Sequence, residues 1–328
     1  MNRDSLQNSL YFGAMRNMYD IQRMQKFRVY YNTTIYPELQ RTEQKRRRLI
    51  RLFLLSGLLI IGLLIFEFYL NILVVTLTLS IPITIYIVYL IRRIGQFRKA
   101  FKPRIMQHIL DFLEEEPNIM SLSYDAQGGL TKADFQNSFL FKTSADYFLA
   151  EDYIEGKVGM MPFRMCELFV RETSKVRNRL DYVFKGVFLH AVFPEKVRGQ
   201  MVIWPRDYRQ FLTRAIREFT WEGGENVDHE VMNDAFREAF ITYATPDTKV
   251  AGILSEPMQD ALIEYLQETG KEIYISFLDQ EIYVAITEPK DVFEPFIFRS
   301  NARFELVREF FEDVHIMLSI VEDFDRTH

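Results

Sequence analysis

Residues 52–91 have the sequence LFLLSGLLIIGLLIFEFYLNILVVTLTLSIPITIYIVYLI, in which Glu67 is the one charged side chain. A helix that crosses the hydrocarbon core of a bilayer, about 30 Å thick, needs about 20 apolar residues. One helix of the whole stretch would be about 60 Å long, which exceeds that thickness at any ordinary tilt. The stretch therefore predicts a hairpin of two membrane-spanning helices, at about 49–67 and 72–91, with a short turn at 67–71.

Basic residues lie on both sides of the apolar stretch. Lysine and arginine beside membrane spans remain on the cytoplasmic side of the membrane. We therefore predict a multi-pass protein of the cell (inner) membrane with both termini in the cytoplasm. The same side chains are within reach of the bilayer's anionic headgroups. The predicted lipid contacts are Lys45, Arg46, Arg47, Arg48, Arg92 and Arg93.

Charge is distributed unevenly along the chain. Residues 1–104 contain 17 Lys and Arg against 5 Asp and Glu, whereas the remaining 224 residues contain 23 against 40. The first part is therefore basic and the second part acidic. An acidic domain lacks the basic face that phosphate contacts require, so we expect no nucleic-acid partner. The single cysteine, Cys166, excludes an intramolecular disulfide and fits a reducing cytoplasm.

These patterns divide the chain into four parts. They are a basic helical N-terminal segment (1–48), the transmembrane hairpin (49–92), a juxtamembrane helix (93–116) and a cytoplasmic domain (117–328). Strand patterns dominate the last part, and helical patterns flank them. The predicted fold class is therefore α+β, with antiparallel strands and flanking helices.

Alternation of apolar and polar residues predicts the strands of this cytoplasmic domain. It indicates a hairpin of residues 272–278 and 281–287. Residues 187–193 and 200–204 are predicted to form a further strand pair. A final helix at 302–324 carries an apolar stripe at heptad-like spacing, which favours docking on the sheet over self-association.

Common catalytic motifs are missing from the sequence. It contains no G-x-x-x-x-G-K-[ST] loop, G-x-S-x-G elbow, C-x-x-C pair or H-E-x-x-H helix. The five histidines are isolated from one another, and we interpret His190, in an apolar strand, as structural. The sequence thus identifies no catalytic residue, metal ligand set or cofactor, and it leaves enzymatic activity open.

Two acidic groups are candidates for function. Glu151, Asp152 and Glu155 lie beside Gly156, where they could form a metal-linked site. The alternative, which we favour, is a strand end that enters a turn. Glu67 is a candidate because a buried intramembrane carboxylate is costly. Its predicted position in the turn, near the membrane–water interface on the side opposite the termini, favours a carboxylate that is solvated by water.

Several short motifs resemble one family of bacterial membrane proteins. They are Tyr36-Pro37-Glu38-Leu39 before the basic helix, DFQNSFLF (134–141), EDYIEGKVG (151–159), FKGVF (184–188) and ILSEPM (253–258) leading into 273–286. Together with the short-looped hairpin, they resemble domain-of-unknown-function family 3137. The resemblance implies a bacterial cytoplasmic-membrane protein, and it brings no established activity or catalytic residues.

These features favour a scaffold or regulatory protein that is anchored by the hairpin. Its cytoplasmic domain would bind a protein partner, or a second copy of the chain, at the inner face of the membrane. One alternative is an oligomeric pore or transporter subunit whose path is lined by Glu67. The other is a membrane-tethered hydrolase that uses Glu151, Asp152 and Glu155 with a metal ion.

Overall fold

A computed structural model describes residues 22–70, 73–174, 179–193, 198–206, 210–288 and 303–327. The chain forms two compact units. The first, here the helical unit, contains Gln25–Ile109 and the beginning of the last helix. The second, the sheet unit, contains Leu110–Val292 and the rest of the last helix from Glu309.

Two long helices make up most of the helical unit. Helix α1 spans Tyr36–Leu70 and follows a π-helical turn at Tyr31–Ile35, and α2 spans Leu73–Leu113. Both helices are long and apolar enough to cross a membrane, judged by length and composition. Only 6% and 11% of their most apolar windows are buried. A core helix of a soluble protein would instead be mostly buried.

The helix ends differ from the predicted boundaries in two places. Helix α1 continues through Leu70, so Glu67 lies within a helix and not in a turn, because residues 67–70 contain neither glycine nor proline. Helix α2 continues from the predicted second span through the predicted juxtamembrane segment to Leu113. Residues 92–102 contain mostly strong helix formers, and Pro103 is accommodated inside the helix.

In the described residues, the sheet unit is built on nine antiparallel strands, which confirms the predicted α+β fold class. Their order across the sheet is β1-β2-β3-β4-β9-β8-β5-β7-β6. The strands are β1 (Ile119–Asp125), β2 (Tyr147–Val158), β3 (Met161–Thr173), β4 (Leu180–Val192), β5 (Gln200–Pro205), β6 (Glu225–Asn226), β7 (Phe240–Ala244), β8 (Ile273–Leu278) and β9 (Glu281–Thr287).

Helices flank this sheet. They are α3 (Lys132–Asn137), α4 (Gln210–Trp221), α5 (Asp234–Ala239), α6 (Val250–Ile253), α7 (Glu256–Thr269) and α8 (Phe304–Thr327). In the centre of the sheet, five consecutive residues of β4, 187–191, are buried, so both faces are covered there. One face forms a core with α3 and α4 through Phe135, Phe188, Trp204 and Phe219.

The predicted C-terminal elements are present. Strands β8 and β9 form the predicted hairpin, whose turn places Asp279 at φ 57°. Helix α8 buries its apolar stripe, and the predicted docking of this stripe on the sheet stays a prediction. The stripe includes Val307, Phe311, Val314, Leu318 and Val321.

One predicted strand pairing is wrong. Strand β4 pairs with β3 and β9, whereas β5 pairs with β7 and β8. The β8–β9 hairpin is inserted between β4 and β5. Alternation along a strand predicts which side chains face the core, but it does not specify the neighbouring strand.

Candidate functional site

A cavity of 630 Å³ lies between the basic parts of α1 and α2, within the helical unit. Lys45 and Arg48 of α1 line it, together with Arg93 and Arg104 of α2. Glu38 is the one carboxylate among the lining residues. The apolar part of the wall is formed by Leu49, Leu52, Tyr86, Tyr89, Leu90, Phe97, Phe101 and Ile105. We call this the basic cavity.

Helical spacing brings these side chains to one side of each helix. Lys45, Arg48 and Leu52 follow one another at intervals of three and four residues on α1. Tyr86, Leu90 and Arg93 do the same on α2. Leu52 and Tyr86 therefore line the cavity at the end toward residues 52–91. The cations lie beyond them, interleaved with apolar side chains such as Phe97 and Phe101.

Arg93 is positioned by an aromatic neighbour. Its Nε donates a hydrogen bond of 2.9 Å to the hydroxyl of Tyr89, and its guanidinium carbon lies 5.6 Å from the centre of that ring. Tyr86 stacks against Tyr89, with ring centres 6.2 Å apart. The two tyrosines thus form an amphipathic wall beside a fixed positive charge.

Glu38 is already engaged by two neighbours on α2. Its Oε2 lies 2.5 Å from Nε2 of His108, and its Oε1 lies 3.9 Å from Nη1 of Arg104. In contrast, Lys45 and Arg48 form no ion pair with any residue that the structure describes. The cavity therefore keeps an excess of positive charge.

The six predicted lipid contacts separate into two groups. Lys45, Arg48 and Arg93 line the basic cavity, whereas Arg46, Arg47 and Arg92 do not. Arg46 is buried and bonds to Glu43 through Nε at 2.8 Å, and Nε of Arg47 bonds to the same carboxylate at 3.1 Å. Arg92 is exposed on α2. Arg46 and Arg47 follow Glu43 by three and four residues, so the sequence already indicates that these two arginines can pair with Glu43.

An apolar groove adjoins the basic cavity between α1 and α2. It has a volume of 330 Å³ and shares Leu52 and Tyr86 with the cavity. Its remaining lining residues are Leu55, Ser56, Leu59, Pro82 and Ile83. The hydroxyl of Ser56 donates to the carbonyl of Leu52 at 2.8 Å, so the polar group is satisfied within its own helix. We call this the apolar groove.

Glu67 is hydrogen-bonded to α2. Its Oε2 accepts a hydrogen bond of 2.6 Å from Oγ1 of Thr76, which is buried. The predicted turn position is therefore wrong, because α1 extends beyond Glu67 and turns the carboxylate toward α2. The predicted solvation of Glu67 stays a prediction, and its side chain is partly exposed. The sequence signal was the position of a hydroxyl residue early in the second apolar run.

The three carboxylates of the predicted metal-linked site are not gathered around one point. Asp152 is buried at a β-bulge in β2, with φ 59°, and accepts a 2.5 Å hydrogen bond from the hydroxyl of Tyr124. Glu155 is exposed and accepts from Ser123 and Tyr153. Glu151 is exposed as well. Among the described residues, no three His, Cys, Asp or Glu side chains form a cluster that could hold a metal ion.

A buried ionic cluster in the sheet unit was not predicted. Nζ of Lys271 lies 2.7 Å from both carboxylate oxygens of Asp313 and 2.8 Å from Glu288. The hydroxyl of Tyr265 donates to Asp313 at 2.6 Å. Burial alone lowers the pKa of Lys271, but Asp313 and Glu288 outweigh it and raise that pKa. The sequence signal was an aspartate within the apolar stripe of α8.

His190 lies in a polar row that crosses β3, β4 and β9. Nη2 of Arg164 donates to Nδ1 of His190 at 2.8 Å, and the imidazole stacks on Tyr283 with ring centres 4.5 Å apart. Burial lowers the pKa of His190, Glu281 opposes this, and Arg164 adds to the lowering. These contacts agree with the structural interpretation made from the sequence.

An aromatic patch lies on the outer part of β2, β3 and β4. Leu149 pairs with Phe169, which pairs with Lys185, and the next row holds Tyr147, Arg171 and Tyr182. Tyr147, Leu149 and Tyr182 are about 40% exposed. The Arg171 guanidinium lies 4.3 Å from the centre of the Phe169 ring, and Nζ of Lys185 lies 5.8 Å from it. Apolar surface and positive charge therefore occur together here.

Residues 182–326 match the family described as a protein of unknown function, DUF3137. This part of the chain belongs to DUF3137. The family predicted from the sequence is therefore confirmed, over a region that begins in β4 and ends in α8. The DUF3137 region contains the Lys271 cluster and the β8–β9 hairpin, whereas the basic cavity lies outside it.

The other comparisons carry no functional argument. Among curated proteins, none matches the chain. The crystal structure of the mycobacterial trehalose monomycolate transport factor A, TtfA, is 8% identical, and the match covers 65% of this chain and 94% of that one. Its TM-score is 0.31. A likeness at this level adds nothing to what the DUF3137 match says about function.

Proposed function

We propose that the protein is a scaffold or regulatory protein anchored in the cell membrane by the α1–α2 hairpin. Both ends of the hairpin lie on the cytoplasmic side, and the sheet unit binds a protein partner there. The observation that carries the proposal is the exposure of the two apolar helices. Large apolar side chains are exposed along both of them, including Leu58, Leu64, Val74 and Ile85. Exposed apolar surface of this extent needs a membrane or a partner to cover it.

Charge supports the proposed orientation. Lys45 and Arg48 precede the first apolar run, and Arg92 and Arg93 follow the second. Positive residues at both open ends of a hairpin keep those ends in the cytoplasm. Residues on the far side of the hairpin, Phe68 and Tyr69, are aromatic, which suits the opposite interface.

The aromatic patch supports partner binding by the sheet unit. Protein interfaces are enriched in tyrosine, phenylalanine and arginine, all of which occur in this patch. The cations beside Phe169 complement a partner that presents apolar side chains together with carboxylates. We therefore assign partner binding to the surface around Tyr147, Leu149 and Tyr182.

The two alternatives receive no comparable support. Glu67 is bonded to Thr76 of the same hairpin, so its carboxylate is engaged within one chain. The carboxylates proposed for a hydrolase are separated by the bulge at Asp152, and two of the three point to solvent. We therefore keep the scaffold proposal as the single conclusion.

The proposal is tested with the full-length protein purified from membranes in mild detergent. We expect Leu149→Glu to reduce the recovery of a copurifying protein by about tenfold, the loss typical of an interface centre. Met160→Glu is the matched control, because Met160 is exposed in the same β2–β3 hairpin but lies outside the patch. Equal recovery with both variants, or no partner with the wild type, would contradict the proposal.

A further inference from the structure

The basic cavity and the apolar groove adjoin each other, and together they offer cations and apolar side chains to one ligand. Leu52 and Tyr86 line both volumes, and the cations of the cavity lie on the side of these two residues away from the groove. Beyond that point, the groove runs past Ser56 and Pro82 with an almost wholly apolar lining. A ligand that fills both volumes therefore has an anionic head and a hydrocarbon tail.

The charge of the cavity favours an anion. Lys45, Arg48 and Arg93 line it and have no acidic partner in the part of the chain that the structure describes. Glu38 is engaged by His108 and Arg104. Arginine binds phosphate oxygens through paired N–H groups, and Tyr89 already orients the Arg93 guanidinium. A surplus of cations also disfavours a headgroup that carries its own ammonium.

The cavity lies at the level where lipid headgroups would be found. Leu52 and Leu90 line the cavity and lie at the two ends of the apolar stretch 52–91. The cavity therefore lies where each helix changes from apolar to basic residues. The cations follow directly on the polar side, and the groove lies on the apolar side. If the hairpin spans the membrane as proposed above, this is the depth of phosphate groups and of the first acyl carbons.

We propose that this space is a binding site for one anionic glycerophospholipid. The phosphodiester is held by Lys45, Arg48 and Arg93, and one acyl chain lies in the apolar groove past Leu52 and Tyr86. The inference rests on the proposed membrane hairpin. It adds a defined lipid site between the two helices to the general attraction between basic residues and an anionic surface.

The test measures lipid retained by the full-length protein, with native mass spectrometry after exchange into detergent with phosphatidylglycerol or phosphatidylcholine. We expect phosphatidylglycerol to be retained preferentially. Arg93→Gln should lower its apparent affinity by about fivefold, the effect of one cation near a phosphate. Arg92→Gln is the matched control, because Arg92 is its exposed neighbour on α2 and does not line the cavity. Equal effects of both variants would overturn the proposal.

A second arm separates a lipid site from a phosphate site. Glycerophosphoglycerol, which has the headgroup without acyl chains, and inorganic phosphate should both compete weakly for the bound lipid. Competition by either one at the concentration of the lipid itself would overturn the assignment of the groove. Alkaline extraction of the membranes is measured in parallel. Release of the protein would refute the membrane hairpin itself, whereas retention without lipid preference would refute this inference alone.

Discussion

The carboxylate of Glu67 and the hydroxyl of Thr76 join the two long helices through a hydrogen bond of 2.6 Å. The bond lies at the closed end of the hairpin, within ten residues of chain. It satisfies an acidic group that would otherwise be costly among apolar side chains. Glu67 therefore has a structural role in pairing the helices.

Removing this bond should weaken the hairpin. We expect Thr76→Val to reduce the free energy of unfolding in detergent micelles by about 1 kcal/mol, which is the usual effect of a hydrogen bond between membrane helices. Thr78→Val is the control, since Thr78 bonds to the carbonyl of Val74 within its own helix. An equal loss of stability in Thr78→Val and Thr76→Val would contradict the prediction that the hydrogen bond between the helices stabilises the hairpin.

The buried Lys271 cluster should be important for the stability of the sheet unit. Lys271→Met leaves Asp313 and Glu288 buried without their cation. We expect it to lower the free energy of unfolding by about 3–5 kcal/mol, the usual cost of breaking a buried ion pair from one side. Denaturant unfolding measures this change, with exposed Lys249→Met as the control. A loss below that of the control variant would contradict the assigned role.

His190 should make stability depend on pH below neutrality. Because its pKa in the folded state is lower than the ordinary value of 6.5, the unfolded chain takes up the proton first as the pH falls. The stabilisation is thus fully present above pH 6.5 and is lost as the pH falls toward the lowered pKa. The slope is at most about 1.4 kcal/mol per pH unit.

Unfolding measured from pH 8 to pH 5 checks this dependence. His190→Gln should flatten the profile below pH 6.5, whereas His229→Gln should leave it unchanged. His229 is exposed, and among the residues that the structure describes its one ion-pair partner is Glu230, at 3.9 Å. A profile that is the same for the wild type and His190→Gln would contradict the buried, neutral imidazole.

Much of the fold was predictable because its signals are local. The apolar run at 52–91 predicts two long helices by length alone. The caps of α7 were also predictable, since Ser255 accepts a hydrogen bond from the backbone of Met258 and Gly270 ends the helix at φ 65°. In each case, neighbouring residues decide the structure.

The unpredicted features depend on contacts between distant residues. Lys271 and Asp313 are 42 positions apart, and nothing in the sequence states that α8 returns to the end of α7. The placement of β8 and β9 between β4 and β5 is likewise a tertiary result. Part of the basic cavity could be predicted from the sequence, because helical periodicity places Lys45 and Arg48 on a different face of α1 from Arg46 and Arg47. The packing of α2 against this face of α1, which forms the other wall of the cavity, could not be predicted.

The central claim is that α1 and α2 cross the membrane and leave the sheet unit in the cytoplasm. Burial raises the pKa of the Cys166 thiol to about 12, so the natural cysteine reacts poorly with maleimides. Single cysteines can therefore be introduced at exposed positions, Tyr69 at the far end of the hairpin and Met232 in the sheet unit.

The most direct test labels spheroplasts that express these variants with a membrane-impermeant maleimide. We predict that Tyr69→Cys is labelled in intact spheroplasts, whereas Met232→Cys is labelled only after the membrane is dissolved. Labelling of Met232→Cys in intact spheroplasts, or protection of Tyr69→Cys until lysis, would contradict the proposed topology.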